Sequence, residues 1–205
     1  MTNVAEKAGR WPPKSCEMPD LSNLTDKNTL GVLLGLFFRK AGPSDYQAKA
    51  LWVNYIRLVD QVVREYKAAR EALQLYVNTP NNVMLPLFQC IGHFESCISL
   101  MKRAIVFARR MRRHRGGPQI GKHDVLASAG EKIINFRNAI EHLDDDILKG
   151  NVPIGSPIAL MVKSDSIELT GNEIYFTDLA KWIQELHKLA TDLVNYNEEE
   201  TVPNK

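Results

Sequence analysis

Cysteine is scarce in this chain. Cys16, Cys90 and Cys97 are the only three in 205 residues, an odd count that builds no disulfide framework and points to a reducing compartment. Cys90 and Cys97 fall on one expected helix two turns apart, about 10 Å by helix rise, too far for a bridge. Long apolar runs are lacking as well. The longest, residues 30–38, contains Gly31 and Gly35 and is much shorter than the roughly 20 residues a membrane-crossing helix needs. Its glycine spacing reads as close packing of a buried helix rather than as a membrane dimer motif. Residues 1–20 are polar, carry Pro12, Pro13 and Pro19, and show no basic-then-apolar leader. These absences lead us to expect a cytoplasmic protein with no membrane partner. No phosphate-loop pattern follows Gly116-Gly117, and neither a serine nucleophile elbow nor a His-Glu-x-x-His pair occurs.

What the chain has is a lopsided charge distribution. Its net charge is only +2. Residues 102–123, however, hold eight Lys and Arg and no acid, whereas residues 124–205 hold seven basic residues against fifteen acidic ones. The basic block contains Lys102, Arg103, Arg109, Arg110, Arg112 and Arg113, followed by Arg115 and Lys122. Such a block is suited to a polyanion, and as an RNA-backbone track it needs no sequence specificity. Two other readings stay open: a solvated helix end whose charge complements the helix dipole, and pairing with the chain's own acidic third.

Apolar periodicity predicts a mostly α fold, an up-down bundle of long helices with a small β-hairpin before the C-terminal helix. A first long helix is expected over residues 44–77, capped by Ser44 or Asp45, with a stripe from Leu51 to Tyr76. A second, over residues 84–113, keeps a four-three alternation from Leu87 to Ala108. A loop around Arg115-Gly116-Gly117-Pro118 separates it from a third helix over residues 124–149, whose seam runs from Leu126 through Ile133, Phe136 and Ile140 to Ile147. The period then changes. Residues 158–162, 166–170 and 174–176 are β-leaning and call for two or three short strands. A last helix to about residue 196 follows, capped by Thr177 or Asp178. The expected organisation is a flexible N-terminal arm (1–28), a helical bundle (29–150), the hairpin with the C-terminal helix packed on the bundle (151–197) and a polar tail (198–205).

The third helix carries Phe136-Arg137-Asn138-Ala139-Ile140-Glu141-His142-Leu143. An Arg, then Asn, then His five residues after the Arg, late in a helix of an α-bundle, resembles the signature of the HEPN family. Arg137, Asn138 and His142 match it residue for residue. The resemblance covers residues 44–149 in architecture and rests on those six residues in sequence. It implies a homodimer that pairs its motif helices and a metal-independent endoribonuclease, with a toxin or antiphage-defence role and an antitoxin or sensor partner. By the same resemblance, an acidic residue on the preceding helix meets the motif arginine, which nominates Glu95 as a supporting residue.

The residues can be read without the name. RNA supplies its own nucleophile, the 2′-hydroxyl. Cleavage therefore needs a base, an acid and positive charge at the phosphorus, with no metal or other cofactor. Histidine titrates near neutral pH, and arginine stays charged and grips phosphate oxygens in pairs. Arg137 and His142 are five apart, about 140° around a straight helix; arginine is long enough for the two to converge across a groove, and a dimer would supply a second copy of each. The opposing reading is structural: Arg137 and Glu141 at i and i+4 form an ordinary ion pair, and Asp145 and Asp146 hold a surface His142. Two rival functions remain, a non-catalytic module binding RNA or nucleotide and a helical protein-interaction module. Cys90, His93 and Cys97 share one helix flank but lack a C-x-x-C pair and a fourth ligand, so a metal set is disfavoured.

Overall fold

The computed structural model describes residues 12–38, 42–80, 83–118, 125–150 (side chains from 129 onward) and 159–196. Within these residues the chain is the expected helical bundle with a small antiparallel sheet before its final helix. The elements are α1 (Asn28–Phe38), α2 (Tyr46–Asn78), α3 (Leu85–Arg113), α4 (Val125–Glu141), α5 (Leu143–Leu148), β1 (Leu160–Val162), β2 (Ser166–Leu169), β3 (Asn172–Tyr175) and α6 (Phe176–Val194).

The long antiparallel pair α2 and α3 forms the body of the fold. Asp45 caps α2 by accepting from the Ala48 amide at 2.7 Å, which satisfies one orphan donor of the first turn. Every residue of the expected α2 stripe that is aromatic is buried: Tyr55, Tyr66 and Tyr76. The α3 alternation, Leu87, Ile91, Phe94, Ile98, Met101, Ile105 and Ala108, is buried without exception. Helix α6 closes the bundle through aromatic anchors whose polar tips are satisfied. The Trp52 indole donates to the Leu193 carbonyl at 2.9 Å, the Tyr55 hydroxyl donates to the Leu186 carbonyl at 3.0 Å, and Phe94 stacks on Phe176 with centroids 5.4 Å apart.

Four differences from the sequence reading have physical causes. Residues 12–27, placed in a flexible arm, lie along the bundle. Met18 and Leu21 are buried, Tyr66 and Arg70 donate to the carbonyls of Pro19 and Met18, and the Glu17 amide donates to Ser164. Prolines in an extended segment need no sheet ladder when side chains of α2 satisfy its carbonyls. Second, α1 is a surface helix. Val32 is buried, but Leu34 is 49% and Phe37 80% exposed, because a short helix covering α2 and α6 buries one stripe while its sequence is apolar on all sides. Gly31 is exposed, and a Cβ there would meet the Val194 side chain only at ordinary contact distance, so its spacing does not mark a buried close approach. Third, the helix expected over 124–149 is two helices, broken at His142. Fourth, α6 begins earlier than expected: Phe176 is its first residue, Tyr175 is the cap, and no side chain closes it. Residues 1–11, Lys122, Asp124, Ile158 and residues 197–205 lie outside the described residues.

Two polar networks hold the peripheral elements. Asp60, buried in the middle of α2, accepts from both the Thr29 amide (2.7 Å) and the Thr29 hydroxyl (2.5 Å), so a carboxylate of one helix caps the first turn of another. In the sheet, ordered β1-β2-β3, Glu168 and Glu173 stand directly opposite each other, an unfavourable like-charge pair. Lys163, nearly buried, resolves it by reaching Glu168 at 2.6 Å and Glu173 at 2.8 Å, while the Ser166 hydroxyl donates to Glu173 at 2.8 Å. The Lys163 hydrogen bond holds the Glu173 carboxyl below its ordinary range. Burial alone would depress the Lys163 ammonium, but its bonds to the two glutamates outweigh this and raise it.

Asp60→Ala should cost about 1–2 kcal/mol, the scale of a lost helix cap, read as a lower denaturation midpoint with α1 amides exchanging faster. A depressed Glu173 contributes stability that is present above its unfolded-state pKa and is lost as pH falls through the folded one. Lys163→Met should therefore lower stability at neutral pH and flatten its decline toward acid, measured as unfolding free energy against pH.

Candidate functional site

The α3–α4 seam determines which charged side chains meet. Ile98, Met101, Ile105 and Ala108 of α3 and Ala129, Ile133 and Phe136 of α4 are all buried. Glu95, Lys102 and Arg109 recur every seven residues and so form one row along the flank of that seam. Two points along the row fix the antiparallel register. Arg109 runs across α4 at Gly130, where a Cβ would overlap its guanidinium. Lys102 lies opposite the end of α4, its Nζ 3.9 Å from Glu141 Oε2.

That same oxygen is the partner of Arg137 Nη1, in an i, i+4 pair. The structure thus brings together a basic-helix residue, Lys102, and the motif residues Arg137 and Glu141. It does not bring Glu95 to Arg137. Glu95 lies two turns before Lys102, about 10 Å away along the helix, and forms no ion pair among the described residues. Burial, with no compensating cation, raises its carboxyl above the ordinary range. The sequence reading placed Glu95 correctly beside the seam but had no register between α3 and α4, and register decides who faces Arg137.

His142 is exposed, as is Asn138 one turn earlier. At His142 the backbone leaves helical geometry (φ −105°, ψ 18°). Its amide still bonds the Asn138 carbonyl at 3.0 Å and its own carbonyl accepts from Asp146 at 3.0 Å. The α turn therefore continues to His142, and the wide angular separation from Arg137 survives the break. Three aspartates fill the first turn of α5, a placement the helix dipole favours. Gly150, at φ +75°, ends α5 in a conformation that costs glycine little. Asp145 reaches Lys149 at 4.0 Å, and no ion pair to the His142 ring occurs among the described residues.

In the basic block, Arg103, Arg110, Arg112, Arg113 and Arg115 are exposed. Arg110, Arg112 and Arg113 fall in the last turn of α3, where cations are favourable. The cysteine–histidine flank has other occupations. His93 pairs with Glu65 at 2.7 Å, Cys97 contacts the Val62 carbonyl, and burial pushes both the Cys90 and Cys97 thiols up. A groove of about 430 Å³ between α2 and α3, lined by Gln61, Arg64, Glu65, Ser96, Ser99 and Leu100, contains none of the motif residues. No helix among the described residues is long and apolar enough to cross a membrane.

Comparison with known proteins gave no matching family model, no similar curated protein and no similar solved structure.

Two features of this site escaped the sequence reading: the Lys102 contact and the Gly130 gap. Gly130 had a visible signal, a glycine inside an amphipathic helix where alanine would be favoured by up to about 1 kcal/mol. The atom it excludes is the tip of a flexible side chain. Gly130→Ala should therefore leave thermal stability equal or higher while displacing Arg109, a change visible in the Arg109 side-chain NMR signals.

Proposed function

We propose that this chain is a metal-independent endoribonuclease of the HEPN type, working as a homodimer. The observation that carries the reading is the meeting of Lys102, from the basic helix, with motif residue Arg137 at one carboxylate, while His142 stands exposed one residue further along. An exposed imidazole and a charge-permanent guanidinium lie at the end of α4, and a second cation, Lys102, reaches that end from α3, the helix that carries the basic run.

The chemistry asks for nothing more. The ribose 2′-oxygen attacks phosphorus and forms a new O–P bond as the bond to the 5′-oxygen breaks. A neutral imidazole takes the 2′ proton, and an imidazolium gives a proton to the departing 5′-oxygen. Arg137 stabilises the charge that grows on the non-bridging oxygens. Products are a 2′,3′-cyclic phosphate and a 5′-hydroxyl. Because Arg137 and His142 diverge around their helix, Arg137 of one protomer works with His142 of the partner subunit, with Asn138 on the shared flank. Exposed Ile147 and Leu148 at the end of α5 supply apolar surface near that pairing. Exposed Arg103, Arg110, Arg112 and Arg113 carry the RNA backbone toward the site. A toxin or antiphage-defence effector in the cytoplasm, restrained by an antitoxin or sensor protein, is the role this activity fits.

The Arg137–Glu141 pair favours a second reading, a non-catalytic helical module that binds RNA or nucleotide, or another protein, in which Arg137 only braces its helix. The two separate cleanly. Purified protein incubated with mixed RNA in the presence of a chelator should yield cyclic-phosphate ends. Arg137→Ala and His142→Ala should each lower the rate by about 10²- to 10⁴-fold, the scale of a general acid–base contribution, with melting temperatures near that of the parent. RNA binding without cleavage by the parent protein would leave the second reading standing.

A further inference from the structure

Glu141 Oε2 is shared by two cations from two helices, Arg137 of α4 and Lys102 of α3. A singly charged carboxylate between a guanidinium and an ammonium leaves one positive charge uncompensated. Among the described residues no second acid pairs with either cation. The exposures are unequal: the Arg137 and Lys102 side chains are 25% and 28% exposed, Glu141 41%. The cations are held against the α3–α4 seam, and the acid is the outermost member. Glu141 can swing into solvent by side-chain rotation alone, without opening the core.

We propose that Arg137 and Lys102 form an oxyanion site for the phosphodiester of RNA, and that Glu141 is its internal occupant, a carboxylate that holds the site closed until a phosphate displaces it. The proposal rests on the nuclease reading for the identity of the ligand but not for the existence of the site. A phosphodiester can take the place of the carboxylate, because its two non-bridging oxygens share one negative charge and offer the same paired acceptors to a two-headed guanidinium and a neighbouring ammonium. Surface pairs such as Lys102–Glu141 are individually weak, so exchange of one anion for another carries little penalty. Glu141 would then set a threshold: weak or isolated anions fail to displace it, whereas a strand already held by the basic end of α3 presents phosphate at high local concentration.

The test uses the full chain and two probes, inorganic phosphate and a 2′-O-methyl oligoribonucleotide that cannot be cleaved, each titrated by NMR. Glu141→Gln keeps the shape and removes the charge. It should bind phosphate roughly 3- to 10-fold tighter than the parent, the scale of removing one competing surface charge, and the oligonucleotide by a similar factor. Lys102→Met in the Glu141→Gln background should erase the gain. Glu131→Gln, an exposed glutamate of the same helix, controls for net charge. Equal phosphate affinities of Glu141→Gln and Glu131→Gln, or a gain that persists without Lys102, would overturn the proposal. If Glu141→Gln gains phosphate affinity and the parent protein never cleaves RNA, the nuclease reading fails and the oxyanion site stands. Cleavage by the parent with no gain in Glu141→Gln has the opposite meaning.

Discussion

The packing of α4 on α3 sets the position of nearly every charged group of interest. Apolar side chains of both helices interlock in a buried seam, and sliding one past the other by even one residue would unpack all of them. The charged row beside the seam inherits that rigidity. Arg109 is carried to the gap at Gly130, and Lys102 to Glu141 and Arg137. The ion pairs themselves are too weak to impose this arrangement. The apolar seam imposes it, and the charges report the register.

A second constraint comes from three aromatic side chains of α2, Trp52, Tyr55 and Tyr66, whose polar tips donate to carbonyls. Trp52 and Tyr55 bind α6, and Tyr66 binds the N-terminal segment. These bonds run from the longest helix to elements far away in sequence, so α2 organises the molecule on one side as α3 organises it on the other. Asp60 belongs to the same pattern, capping α1 from inside α2. The small sheet works differently. It gathers two facing glutamates around one lysine above a buried apolar face of Leu160, Val162, Ile167, Leu169 and Ile174, so charge and apolar area together hold the turn leading into α6.

The break at His142 changes the local mechanics of the motif. Arg137 lies on a helix packed against α3, whereas α5, just beyond His142, has no buried residue. One member of the pair is therefore held by the core, and the other borders a short helix that touches the core through the half-buried Leu143. Fixed charge on the packed side and a titratable ring on the exposed side is a division of labour compatible with binding a strand before acting on it.

Much of the fold was legible because it follows from local period. The four-three alternation of Leu87 to Ala108, the stripe of α2, the turn at Gly171 and the β-leaning residues before α6 each signal a structure through neighbours a few residues away, and helices and short antiparallel strands are built from such neighbours. The i, i+4 pairing of Arg137 with Glu141 was legible for the same reason. Tertiary structure alone decided that Lys102 rather than Glu95 faces Arg137, that residues 12–27 are pinned by α2 rather than loose, that α1 exposes Phe37, and that a single amphipathic pattern is interrupted at His142. Each of these depends on register between helices, or on hydrogen bonds spanning tens of residues. A periodic pattern reveals which face of a helix turns inward. It carries no information about how far that helix slides along its neighbour, because that is set by the shapes of side chains meeting from both sides at once.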